Sequence, residues 1–125
     1  MTYKLHFFVG ELPDLTNRAR KFSSWQKSAG NASRWKRLIE DKVTQHGRPP
    51  SPLQKAKVTL IRHSSREPDY DGLVSSFKVV LDALVKASVI IDDNSKVIGI
   101  PEYLHAKITR NKSMIEIICE EVNQE

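Results

Sequence analysis

The residues most able to do chemistry are acidic and sit close together in the chain. Asp69 and Asp71 are one residue apart, Asp92 and Asp93 are adjacent, and Lys78 lies between the two pairs. Carboxylate oxygens are the donors that a hard cation such as Mg²⁺ takes. Mg²⁺ polarises a phosphate and lowers the pKa of an attacking water, while a lysine ammonium can offset charge developing on the phosphate. The same residues also have plain structural uses. Asp71, before Gly72-Leu73, suits a helix N-cap, and Asp69, after Pro68, suits a turn. Asp92-Asp93-Asn94 can be an ordinary turn, and Lys78 can pair with Asp82 at i,i+4 for a few tenths of a kcal/mol, roughly. Convergence of the carboxylates is also not given by spacing. A helix from about Gly72 to Ala87 separates its ends by ~24 Å, so the two pairs meet only if the chain returns along the helix, partly through Val89-Ile90-Ile91, or across a dimer interface.

A second chemical feature lies upstream. Between Leu15 and Ile39 there is no acidic residue but seven basic ones: Arg18, Arg20, Lys21, Lys27, Arg34, Lys36 and Arg37. The chain carries a formal +5, so everything outside this block nets −2 on the same composition. Trp25, Trp35, Asn17, Gln26 and Asn31 are interleaved with the cations. Cations with amides and aromatics suit a phosphate backbone and exposed bases; a solvated basic surface is the plainer alternative. Helical spacing begins at Arg34, with Ser33 as expected N-cap. Three cations in a first turn would oppose the helix macrodipole, which points toward an anionic partner.

The elements that must position these groups follow from periodicity. Tyr3 to Val9 alternates as a strand. A helix follows from Arg34, with Trp35, Leu38, Ile39, Lys42/Val43 and His46 as its stripe. Gly47 is expected at C′ and Pro49-Pro50 prevents continuation. Lys57 to His63 is a second alternating strand. Leu73, Phe77, Val80, Leu81, Leu84 and Ser88 fall on one face of a four-turn helix, with Lys78, Asp82 and Lys86 on another. Lys96 to Ile100 is expected as a short strand, and Tyr103–Thr109 with Met114–Glu120 as two strands joined in a hairpin across Arg110-Asn111-Lys112-Ser113. The order β, α, β, α, β, β, β predicts an α+β domain whose single mixed sheet packs against two main helices.

Size and composition limit the function classes. A chain of 125 residues supports one core, which excludes most enzymes that bind an organic cofactor between two domains. The lone Cys119 excludes a disulfide framework and a Cys-rich zinc site. No apolar run approaches the ~20 residues of a membrane span, and the opening MTYKLHFFVG has no signal-cleavage region. A cytosolic location with no membrane partner is expected.

The run from Asp69 to Val97, D-Y-D-G-L-V-S-S-F-K-V-V-L-D-A-L-V-K-A-S-V-I-I-D-D-N-S-K-V, resembles the signature region of the RusA family of Holliday-junction resolvases. The family pattern reads roughly D-x-D-N-L-x-K, then D-A-L-x-K-A-G, then D-D and a short strand. Leu12-Pro13 and Thr16-Asn17-Arg18 are similar to the family's opening, and the final hairpin also fits. The resemblance covers nearly the whole chain, with motif specificity in its middle third. It implies a small homodimeric, Mg²⁺-dependent endonuclease of bacterial or prophage origin, with Mn²⁺ able to substitute, that nicks branched four-way DNA symmetrically in recombination and repair. Asp69, Asp71 and Asp93 match the essential carboxylates, Asp92 their acidic neighbour and a fourth metal-ligand candidate. Counted back from Asp82, Lys78 matches the catalytic lysine, whereas counted forward from Asp71 that position is Ser75. Gly72 and Ser88 stand where the pattern has Asn and Gly. A non-catalytic DNA-binding or architectural protein on the same fold, its acids kept as caps and turns, is the alternative.

Overall fold

The computed structural model describes residues 2–15 and 25–122, with 25–29 and 110 described at the backbone only. Four strands are present among them: β1 (Lys4–Val9), β2 (Ala56–Ser64), β3 (Glu102–Lys107) and β4 (Met114–Glu121). The helices are α1 (Trp25–His46), α2 (Tyr70–Ser76), α3 (Lys78–Lys86) and α4 (Ser95–Ile98), with a 3₁₀ turn at Arg110–Lys112. The result is a small α+β domain with one mixed sheet of order β1-β4-β2-β3.

Alternation along the strands decides which face is covered. Leu5, Phe7 and Val9 of β1 pair with Cys119, Ile117 and Ile115 of β4. The latter pair in turn with Val58, Leu60 and Arg62 of β2. All of these side chains are buried. The apolar ones meet Trp35, Ile39 and Val43 of α1 and Val80, Leu81 and Leu84 of α3 in one core. Burial of this set supplies the main drive to fold, at about 1.5–3 kcal/mol for each large apolar side chain. The other face carries His6, Phe8, Thr59, Ile61, His63, Leu104, Glu116 and Ile118, each half-buried or exposed.

Four expectations change. First, α1 is already helical at Trp25, nine residues before Arg34, so Ser33 is no cap. Arg34, Lys36 and Arg37 therefore lie mid-helix, and the macrodipole argument for their placement does not hold. Second, the single helix over Gly72–Ala87 is two helices joined at Phe77, whose N–H donates to the Val74 carbonyl at 3.2 Å instead of one residue further back. Third, Ser95–Ile98 is a helical turn and not a strand, because the Asn94 side chain accepts from the backbone of Lys96 and Val97 at 3.0 and 3.2 Å. Fourth, the last two strands form no hairpin. β3 pairs parallel with β2, while β4 inserts antiparallel between β1 and β2.

The Gly47 expectation stands: Gly47 has φ 108° and its N–H donates to the Val43 carbonyl at 2.8 Å. A related cap closes α3. Val89 N–H donates to the Leu84 carbonyl at 3.1 Å and Ser88 N–H to Val85 at 3.0 Å, the paired bonds of a Schellman motif. Its left-handed C′ residue is Ser88, at φ 64°.

Candidate functional site

The joint at Phe77 sets the site. Phe77 is fully buried, and it ends α2 and starts α3, so Lys78 is the first residue of the second helix. From there its ammonium reaches Asp93 Oδ2 at 2.7 Å and Asp82 Oδ1 at 3.2 Å. The Asp82 contact is the i,i+4 pair that helical spacing predicted. The Asp93 contact spans 15 residues and exists because the chain after α3 folds back along the helix. Leu53 fixes that return: its N–H donates to the Val89 carbonyl at 2.9 Å, and its own carbonyl accepts from Ile91 at 3.1 Å.

The pair is asymmetric. Asp93 is 19% exposed and Lys78 63%, so the acid is the fixed partner and the lysine reaches to it from solvent. The hydrogen bond from Lys78, opposed by burial, holds the Asp93 carboxyl below the ordinary aspartate range. The same hydrogen bond, with the smaller help of Asp82 and against some burial, raises the Lys78 ammonium above its ordinary value. Both groups are charged at neutral pH.

Asp92 serves the turn. Its Oδ1 accepts from Asp93 N–H at 2.7 Å and its Oδ2 from Asn94 Nδ2 at 3.0 Å, so both oxygens are engaged locally. Asp69 and Asp71 flank Tyr70 at the start of α2, and both are exposed. Asp69 is the N-cap residue, but its side chain makes no capping hydrogen bond. The Asp71 carbonyl accepts from Ser75 Oγ at 2.8 Å, while no side-chain partner of Asp69 or Asp71 is present among the described residues. Ser75, the other position considered for the lysine, is thus occupied with its own helix.

The carboxylates offer the hard oxygen donors that Mg²⁺ takes: Asp69, Asp71 and the remaining oxygen of Asp93. They do not form a ready ligand cage. Among the described residues no group of three or more His, Cys, Asp or Glu side chains is gathered as a metal site. What links the two halves is aromatic, and spacing gave no sign of it. Tyr103 of β3 meets Tyr70 edge-on, with ring centres 6.4 Å apart, and packs on Phe77 at 6.2 Å. Burial raises the Tyr103 phenol, and Tyr70 and Asp93 add to the rise while Lys78 opposes it. Tyr103 therefore stands within electrostatic reach of the Lys78–Asp93 pair and in ring contact with the residue between Asp69 and Asp71. Its signal was hidden because β3 was expected to pair with β4, which would have placed it elsewhere.

Gly72 borders the site without crowding it. A Cβ there would meet Leu15 Cδ2 at 3.8 Å, an ordinary contact. The Pro13–Leu15 segment is held by buried Arg62, whose Nη1 donates to the Pro13 carbonyl at 2.8 Å. Burial lowers the Arg62 guanidinium from its ordinary value, with Asp14 opposing.

The basic block divides. Arg18, Arg20 and Lys21 lie outside the described residues, and Lys27 is described at the backbone only. Arg34 is ion-paired with Glu11. Lys36 and Arg37 are exposed on α1 and have no ionic or hydrogen-bond partner among the described residues. Trp35 is fully engaged in the core, so it is no platform for a base. A concavity of about 560 Å³ is lined by Tyr3, Leu53, Lys55 and Glu121 among others and contains none of the candidate residues. Asp69 and Asp71 stand on open surface, and Asp93 is half-buried. No described helix is long and apolar enough to cross a membrane. Compared with models of known families and with curated proteins, the chain finds no match in either.

Proposed function

We propose that this protein is a Mg²⁺-dependent, structure-selective DNA endonuclease of the RusA type that resolves four-way junctions as a homodimer. The observation that carries the reading is the 2.7 Å contact between Lys78 and Asp93. Of the two positions open to the lysine, the one that reaches a candidate essential carboxylate is Lys78. Free carboxylates at Asp69 and Asp71 support the reading, as does an aromatic bridge from them to the Lys78–Asp93 pair.

In this reading Asp69, Asp71 and Asp93 would hold the metal, with Mn²⁺ able to replace Mg²⁺. When bound, such a metal polarises the scissile phosphate and makes water a better nucleophile. Lys78, kept protonated by Asp93, presents a positive charge at the edge of the site for the phosphate. Asp93 orients that ammonium through a half-buried carboxylate. Lys36 and Arg37 on α1 supply unpaired cations for the DNA backbone, a contribution that weakens steeply with salt. Two nicks in strands of like polarity call for two sites related by a two-fold axis, the usual symmetry of a dimer.

One observation favours a second reading, a non-catalytic DNA-binding protein on this fold: the absence of a gathered three-ligand group among the described residues. A synthetic four-way junction separates the two. The endonuclease nicks it with Mg²⁺, stops with EDTA and spares linear duplex. Binding without nicking under both conditions establishes the second reading.

A further inference from the structure

Tyr70 has an odd position for its residue type. It opens α2, lies directly between Asp69 and Asp71, and is 62% exposed. The first turn of a helix favours small polar or acidic residues, and a tyrosine this exposed adds little to the core. Yet its ring is anchored. It meets Tyr103 at 90°, and Tyr103 packs at 39° on the buried Phe77. A ladder of three rings therefore runs from the core to the surface and ends between the two free carboxylates. Such support fixes a ring in advance, so that little freedom is lost when a second flat group docks on it.

We infer that Tyr70 is a stacking platform for an unpaired nucleobase next to the scissile phosphate, the class of ligand exposed where strands part at a DNA branch point. The inference rests on the endonuclease reading for the identity of the site. Its geometry stands on the ring ladder alone. Stacking on an aromatic ring uses the base's π-face and is tolerant of sequence. Tyr70 thus selects for open structure, while the base-pairing edges stay unread. Fully paired duplex keeps its bases stacked on one another and gains nothing from Tyr70.

The test is made on the full chain without divalent metal, so that no strand is cut. The probes are a four-way junction and a single-stranded oligonucleotide, each carrying 2-aminopurine, at the branch point in the former. The wild type and Tyr70→Phe should change the 2-aminopurine emission on binding. Tyr70→Leu should not, and should bind the junction about tenfold more weakly with linear-duplex affinity unchanged. Thermal unfolding of Tyr70→Leu near that of the wild type separates a lost platform from a lost fold. Equal emission changes for wild type and Tyr70→Leu overturn the inference, as does no change with the wild type on either probe. A Tyr70-dependent signal from a protein that fails to nick the junction when Mg²⁺ is added sustains the platform and sinks the endonuclease reading.

Discussion

Two clusters in this molecule join acids to bases, and they are built to opposite ends. On the outer face of the sheet, Glu116 lies between His6 and His63, with Oε2 at 2.6 Å from one imidazole and Oε1 at 2.9 Å from the other. Phe8 packs against both rings. Both carboxylate oxygens are spent, and the cluster ties β1 and β2 together across β4. At the α2–α3 joint only one oxygen of Asp93 is taken by Lys78, and Asp69 and Asp71 keep theirs free. A saturated carboxylate stabilises; one left unsaturated at the surface is available to a ligand. Asp92, with both oxygens committed to its own turn, belongs with Glu116 in this respect, although it adjoins Asp93 in the chain.

The largest contrast is expected in catalysis. Asp71→Asn should reduce junction nicking at least about a hundredfold, given that metal stabilisation of a phosphoryl transition state contributes several kcal/mol. Junction binding should persist, and a gel of cleavage products checks both. Lys78→Ala should lower the nicking rate by about 10²-fold, the effect of removing one stabilising group at a developing oxyanion. Its stability should change by less than about 1 kcal/mol, because exposed ion pairs are weak. Urea unfolding beside single-turnover kinetics tests that separation. A loss of stability with nicking intact would move Lys78 into the same class as Glu116.

Glu116→Gln should do the reverse, leaving nicking intact and costing about 1 kcal/mol of stability. Its pH dependence carries a definite sign. Burial raises the Glu116 carboxyl, but hydrogen bonds from His63 and His6 outweigh it and hold the carboxyl below its ordinary value. A group depressed in the folded state stabilises above its unfolded-state pKa, and that contribution is lost as pH falls through the folded-state value. Denaturation midpoints measured between neutral pH and the acid range should therefore fall less steeply in Glu116→Gln than in the wild type. The smallest effect is a gain. Ser88 holds a left-handed C′ position that glycine adopts without strain, so Ser88→Gly should stabilise by about 1 kcal/mol, read as a higher Tm with unchanged nicking.

The comparison also marks what could be read from sequence. Asp69, Asp71, Lys78, Asp82 and Asp93 lie within 25 residues, and local helical spacing places Lys78 beside Asp82 directly. Alternation located β1, β2 and β4 nearly to their ends because each has one covered face. Alternation says nothing about partners, however. A strand that inserts between two others has the same period as one in a hairpin, so the β4 insertion stayed hidden. With it went the meeting of His6, His63 and Glu116, which are 53 to 110 residues apart. Val97 and Ile98 look like strand residues, and only the cap made by Asn94 turns them into a helix. Lys36 and Arg37 were found as cations, but their setting in mid-helix depended on where α1 begins.

The central claim is that Asp69, Asp71 and Asp93 bind a divalent cation and Glu116 does not. Mn²⁺ titration followed by electron paramagnetic resonance, with wild type, Asp71→Asn and Glu116→Gln side by side, addresses it without any substrate. The account predicts Mn²⁺ uptake by the wild type and Glu116→Gln, competed by Mg²⁺, and its loss in Asp71→Asn. Undiminished uptake by Asp71→Asn, or loss of uptake in Glu116→Gln while the protein remains folded, would contradict it.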